Sequence, residues 1–395
     1  MVVFNLAPTD TVPSSSGGSN TTSFTLPSYL SVGAGDGGVG PVNQMVPLAD
    51  LAGPIGLSKY EGADASQADP YQTFRELRPQ LNDSIRWASN NLTGQERNQY
   101  IGAVLNNYSA GISSAAATAS QADAGTLRGM LRDVALTAQA AGYDPMQFQA
   151  PIPEGARRLT DVEFQAVQGI YHNTLWGSRA SAADISSTRT LLIEAGVSLS
   201  PNATATQVSN AAGEFIGDRY NAVFTYAGAL NMVPPELLKG QARRESQFDY
   251  RAVSYYKDGT IAAAGISQFL AGTARGYGLR DRYDPVQSIY AQARYIQDLY
   301  NRFPEASTES DRWQFSLAAY NAGPGRVNSA IGSYAREINV GTWPNSGTVT
   351  MQNIYNRITT NEPRLYINAI YPIGVGAPGG LYGQYLNNFN GTTWR

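Results

Sequence analysis

No cysteine occurs anywhere in these 395 residues, so the fold has to be held by packing and hydrogen bonding rather than by covalent staples. Disulfides, thiolate zinc sites, iron–sulfur clusters and cysteine nucleophiles are excluded together. One histidine is present, His172. A histidine-rich metal site cannot form from it, and a Ser-His-Asp triad has a single possible centre. His172 follows Ile170 and Tyr171 on a helical pattern with no serine motif nearby, so it reads as structural. Any enzymatic chemistry rests mainly on carboxylates, tyrosines, amides or hydroxyls, and neither a metal nor another cofactor is expected.

The length admits two or three domains with sizeable cores. With 42% hydrophobic residues, 15% charged residues and a formal net charge of −3, nothing points electrostatically to nucleic acid or an anionic membrane as partner. No stretch approaches the ~18 apolar residues of a membrane span. The start, Met1-Val2-Val3-Phe4-Asn5, lacks the basic region and long apolar stretch of a secretory signal. A substrate outside a cytoplasm would then require another route of delivery.

Four regions follow from the pattern. Residues 1–70 are rich in Gly, Ser, Thr, Pro and Asp, as in Ser14-Ser15-Ser16-Gly17-Gly18. Such a low-complexity arm cannot bury enough apolar surface to offset its chain entropy, and it is ordered only when something holds it. Residues 71–220 read as a helical scaffold or assembly region. Thr93-x-x-Glu96 and Thr160-x-x-Glu163 have the form of capping boxes, and Gly142 that of a C-cap. A further helix is expected over about 205–230. Residues 221–335 carry the chemistry. Residues 336–395, rich in Tyr, Asn, Gly and Pro, read as an irregular tail with one short helix near 350–360.

Pro234-Pro235 opens a helix where a missing N–H costs nothing. Leu238, Ala242 and Glu245 then fall at i, i+4 and i+7, which puts Glu245 on the core-facing stripe. Desolvation raises a buried carboxyl's pKa, and the nearby helix C-terminus pushes the same way. A carboxylic acid still protonated near neutrality is what glycosidic cleavage needs for its leaving oxygen. A pairing of Glu245 with Arg243 or Arg244 is the alternative that helix geometry leaves open.

Downstream stand Glu245-Ser246-Gln247-Phe248-Asp249, Gly265-Ile266-Ser267-Gln268-Phe269-Leu270-Ala271-Gly272-Thr273-Ala274, Asp284-Pro285 with Gln287, and Ala318-Ala319-Tyr320-Asn321-Ala322-Gly323. In these blocks the chain resembles the soluble-lytic-transglycosylase family, lysozyme-like enzymes of bacteria and phages that cut peptidoglycan. The family pattern is Glu-Ser, then Gly-Leu-Met-Gln ending in Thr-Ala, then Ala-Tyr-Asn-Ala-Gly. The resemblance implies a mainly α fold. It comprises a lysozyme-like transglycosylase domain at 221–335, an N-terminal helical region, a low-complexity N-terminal extension and an irregular C-terminal one. It also implies Glu245 as catalytic acid/base, Ser254 positioning the sugar's N-acetyl group, and Gln268 and Thr273 contacting the glycan. Tyr320 would hydrogen-bond near the glutamate, with Asn321 beside it. Two positions depart: the usual Met before the glutamine is Ser267, and the residue two after Gln268 is Leu270. The loop from Ser254 to Gly265, with Tyr255-Tyr256-Lys257-Asp258-Gly259, is enlarged.

Ordinary glycosidases pair two carboxylates about 5–9.5 Å apart. Asp249 and Asp258 are the candidates here, Asp249 reading better as a turn residue. The resemblance implies instead that Glu245 serves both steps on the bond between N-acetylmuramic acid and N-acetylglucosamine and leaves a 1,6-anhydro end. Three roles remain: a virion-borne enzyme, in the tail or ejected, opening the wall for phage genome delivery; a free endolysin, goose-type-like muramidase or cellular remodelling enzyme; and a structural virion protein with an inactive domain. The first is favoured. Its expected partners are peptidoglycan strands, other virion proteins and copies of itself.

Overall fold

The structure is a computed structural model that describes residues 71–150, 152–175, 180–338, 343–372 and 380–388. The expected arm at 1–70 lies outside the described residues.

Three long helices come first: α1 (Gln72–Asn91), α2 (Gly94–Ala116) and α3 (Gln121–Ala140). They pack on one another around Leu81, Ile85, Ile101, Val104, Leu127 and Val134, all with essentially no exposure. Gly142 closes the unit in the left-handed conformation, φ +71°, as its sequence position suggested. Thr93 does sit at an N-cap, but its side chain makes no cap bond. Three shorter helices follow, α4 (Asp161–Leu175), α5 (Ala182–Glu194) and α6 (Ala205–Asp218). At the start of α4 the Thr160–Glu163 box forms: Thr160 N donates to Glu163 Oε2 at 2.8 Å, and Glu163 N donates to Thr160 Oγ1 at 3.3 Å.

The helix expected over 205–230 is two, α6 and α7 (Asn221–Asn231), broken at Arg219-Tyr220. The break lets α7 turn inward, and it is buried from Ala222 to Ala229. Val223, Phe224 and Ala227 belong to one hydrophobic core, while Tyr226 and Ala229 belong to the core of α1–α3. Nor does the packing break at residue 220. Phe164, Val167, Ile185, Leu192, Val208 and Ile216, upstream of it, share their core with Val223, Leu237, Phe315 and Leu317.

That second core is built on α8 (Pro235–Ser246), α10 (Pro285–Asn301), α11 (Glu309–Ala322) and α12 (Pro324–Glu337). Between α8 and α10 lie a small antiparallel sheet, β1 (Val253–Tyr255), β2 (Ile261–Ala264) and β3 (Phe269–Leu270), and a short helix α9 (Ala271–Gly276). The expected short helix near 350–360 is α13 (Met351–Ile354) with a 3₁₀ turn at Tyr355–Arg357. The remaining tail is less irregular than its composition suggested. Helices α14 (Asn361–Ile370) and α15 (Gly380–Asn388) pack on α11 and α8, placing Tyr366, Ile367, Ile370 and Tyr385 in the core. Tyrosine, counted as a loop residue in reading the sequence, here supplies core rings whose hydroxyls find carboxylate partners.

One buried ion pair joins the two cores. Arg128 of α3 bonds Glu309, whose carboxylate also accepts from Trp313 Nε1 at 2.6 Å and Tyr300 Oη at 2.5 Å; the Arg128 guanidinium lies over the Trp313 ring. No helix among the described residues is long and apolar enough to cross a membrane.

Candidate active site

Helix α8 starts at Pro235 and ends in an unusual way: Gln247 and Phe248 both adopt left-handed backbone, φ +56° and +68°. Two consecutive non-glycine residues in this region are strained and persist only where the surroundings impose them. Here Phe248 is fully buried against Gly217, where a Cβ would come within 2.5 Å of its ring, and the Gln247 carbonyl accepts from Tyr171 Oη at 2.8 Å. The turn fixes where the last residues of α8 point.

Glu245 stands in that last turn, half-buried. Its Oε1 accepts a 2.6 Å hydrogen bond from Tyr366 Oη of α14. Burial pushes the Glu245 carboxyl up to about 7, against the opposing pull of the Tyr366 hydrogen bond and the charge of Arg244; Glu362 adds to the rise. Arg243 is not its partner, since it pairs with Glu214 at 2.9 Å. The neighbouring Ser246 is buried and donates to the Ile266 carbonyl at 2.8 Å, which ties α8 to the turn Gly265–Gln268.

This turn collects several of the expected residues. Gly265 has φ +83°, and a Cβ there would meet the Arg282 carbonyl oxygen at 1.7 Å, so only glycine fits. Gln268, itself left-handed at φ +48°, donates its side-chain amide to the carbonyls of Ala252 and Gly265 at 3.0 and 2.9 Å. The Tyr320 hydroxyl donates to the Ser267 carbonyl at 2.8 Å, and its ring packs on Tyr295 and Phe269 with centroids 5.0 and 6.0 Å away. Burial and the nearby Glu245 charge push the Tyr320 phenol well up. Asn321 follows with its Oδ1 buried and unpartnered.

Ser254 and Thr273 are not joined to this turn by hydrogen bonds among the described residues. Ser254 lies on β1, where its Oγ accepts from Ala263 N at 3.2 Å, and Thr273 is half-buried on α9. The departure at Ser267 is accommodated internally: its hydroxyl, fully buried, donates to Gln292 Oε1 at 3.0 Å.

Both candidate second carboxylates are otherwise engaged. Asp249 is buried, pairs with His172 Nδ1 and accepts from Arg251 N at 3.0 Å, a turn role that also accounts for the lone histidine. Asp258 sits in the exposed hairpin turn and accepts from Thr260 N and Oγ1 at 2.9 and 2.6 Å. No cluster of three or more His, Asp or Glu side chains placed for a metal ion occurs among the described residues.

The sequence reading missed Tyr366. It lies 121 residues beyond Glu245, and only its helical spacing with Pro363, Ile367 and Ile370 could have marked it as inward-facing.

Part of the chain is similar to known proteins. Residues 209–339 match the transglycosylase SLT domain; Tyr366 lies outside them. A membrane-bound lytic murein transglycosylase F of Maricaulis maris is 40% identical over 112 residues, 28% of this chain and 24% of that protein. Its counterparts in Alkalilimnicola ehrlichii and Ectopseudomonas mendocina are 38% and 37% identical over 112 residues, 28% of this chain and 24% and 22% of theirs. The chain thus spans about a quarter of the length of these relatives. Among solved structures, an inactive variant of lytic transglycosylase Slt from Pseudomonas aeruginosa aligns with a TM-score of 0.34 at 16% identity, covering 81% of this chain and 52% of that one.

Proposed function

We propose that this chain, whose residues 209–339 match the transglycosylase SLT domain, is a peptidoglycan lytic transglycosylase in which Glu245 is the single catalytic carboxyl among the described residues. The observation that carries this reading is the setting of Glu245: a half-buried carboxyl in the last turn of α8 that accepts from Tyr366 Oη at 2.6 Å and that burial pushes up to about 7, while Asp249 and Asp258 are committed to turns. Glu245 protonates the oxygen between N-acetylmuramic acid and N-acetylglucosamine as that bond breaks. The substrate's acetamido group supports the oxocarbenium-like centre. The carboxylate then takes the proton from the muramyl 6-hydroxyl as its oxygen closes on C1, giving a 1,6-anhydro end without water. Tyr366 steadies the carboxylate between the two steps. Ser254, Gln268, Thr273 and Asn321 are the groove residues.

Glu245→Gln is expected to abolish clearing of a peptidoglycan zymogram while leaving the thermal melt cooperative; clearing by that variant overturns the assignment. Mass spectrometry of digested sacculi separates the two chemistries, anhydro ends marking the transglycosylase and reducing ends a goose-type-like hydrolase.

The setting we propose is a virion, where the enzyme opens the wall locally during phage genome delivery. Supporting it are the helical unit α1–α3, which the SLT segment does not include, and the Gly/Ser-rich composition of residues 1–70. Its partners there are other virion proteins and copies of itself. Mass spectrometry of purified particles tests this: a chain absent from them is a free enzyme.

A further inference from the structure

The strained turn that ends α8 is gripped by a helix that takes no part in the proposed groove. Gln168, Tyr171 and His172 of α4 fall at i, i+3 and i+4, on one face. All three reach the segment Gln247–Arg251. The Tyr171 hydroxyl donates to the Gln247 carbonyl at 2.8 Å, His172 Nδ1 meets the Asp249 carboxylate, and the Gln168 carbonyl accepts from Arg251 Nη2 at 3.0 Å. Helix α6 supplies two notches one turn apart. A Cβ on Gly213 would come within 2.4 Å of the Tyr171 oxygen, and one on Gly217 within 2.5 Å of the Phe248 ring. Both glycines are therefore places where a side chain of the grip is let in. Helix α4 lies upstream of residues 209–339, so the grip comes from outside the segment that matches the SLT domain.

We infer that Tyr171 is a positioning residue for Glu245: lodged in the Gly213 notch, it holds Gln247 in left-handed backbone and so fixes the end of α8 that carries the carboxyl. Left-handed backbone disfavours a non-glycine residue by about as much as one hydrogen bond contributes, so the Tyr171 bond decides whether Gln247 stays there. Without that bond Gln247 is drawn to right-handed backbone, which carries α8 past its present end. Glu245, two residues earlier, then shifts against the Tyr366 hydroxyl from which it accepts at 2.6 Å. Tyr171 is only 2% exposed, so it acts through the turn and not on substrate.

The inference rests on the proposed function and is tested on soluble glycan strands with the full chain. Tyr171→Phe removes one oxygen and keeps the ring. It should lower kcat roughly three- to tenfold with KM unchanged, the factor corresponding to one hydrogen bond. A residue that only stabilised the fold would leave kcat unmoved well below the melting temperature. Gln247→Gly supplies the second background, because glycine takes left-handed backbone without the tyrosine's help. There Tyr171→Phe should cost less than roughly twofold, measured against Gln247→Gly itself. Should Gln247→Gly fail to fold, Gln247→Asn, whose side chain also tolerates this backbone, carries the same expectation. A wild-type kcat in Tyr171→Phe, a change confined to KM, or an equal loss of kcat in both backgrounds overturns the brace while Glu245→Gln stays inactive. Activity in Glu245→Gln overturns the functional reading itself.

Discussion

At Glu245 two influences oppose each other: burial favours the acid, and the Tyr366 hydroxyl favours the anion. The balance near pH 7 suits a group that must give a proton and take one back. In the proposed mechanism the acid form starts the reaction, so cleavage should fall as pH rises through about 7. Tyr366→Phe removes the stabilising donor, so its basic limb should lie higher and its kcat lower by roughly tenfold; an unmoved limb in a pH–rate series would show that the tyrosine does not set the carboxyl. A second carboxyl of the same helix, Glu236, offers a stability test. It is fully buried, holds one hydrogen bond from Ser113 at 3.1 Å, and burial pushes it up to about 7. A carboxyl raised in the fold costs nothing below its unfolded value near 4.5, and destabilises increasingly as pH climbs to its folded value. Glu236→Gln should thus match wild type at pH 4 and be more stable at pH 8, by on the order of 1–3 kcal/mol in urea unfolding. A constant difference at both pH values would refute it.

At the scale of elements, local signals were legible and distant ones were not. Pro234-Pro235 and Asp284-Pro285 marked the starts of α8 and α10, and the Asp284 side chain does accept from Gln287 N at 3.0 Å. Such signals work because a cap or a missing N–H acts within one turn of chain. The blocks around Gln268 and Tyr320 stood out in the sequence, but not the turn Gly265–Gln268, whose backbone Ser246 and Tyr320 reach at Ile266 and Ser267. Helices α14 and α15 were hidden by Tyr, Asn and Gly, residues that also make loops, and only packing on α8 and α11 decides between the two. Tyr366 was missed for that reason. The strained Gln247-Phe248 turn could not be read either, since neither residue type favours left-handed backbone.

Across the whole molecule, Arg128 and Glu309 tie the two cores together where neither is much exposed to water. Removing one member of such a pair leaves the other buried and unpaired, which costs more than the pair itself contributes. Arg128→Ala should destabilise by about 3–5 kcal/mol in denaturant unfolding. A change under 1 kcal/mol would mean that Trp313 and Tyr300 suffice to hold Glu309.

Helix α7 gives one face to each core. The stretch that kinship recognises, residues 209–339, is therefore smaller than the packed body it sits in, since Phe164, Val167 and Ile185 upstream of it share its core. Cutting the chain back to that segment would remove the partners that one face of α7 packs on. It would bare the Tyr226 and Ala229 side of the helix that leads into α8. Ancestry and packing draw different borders in this chain, and anyone trimming it for expression should follow the second.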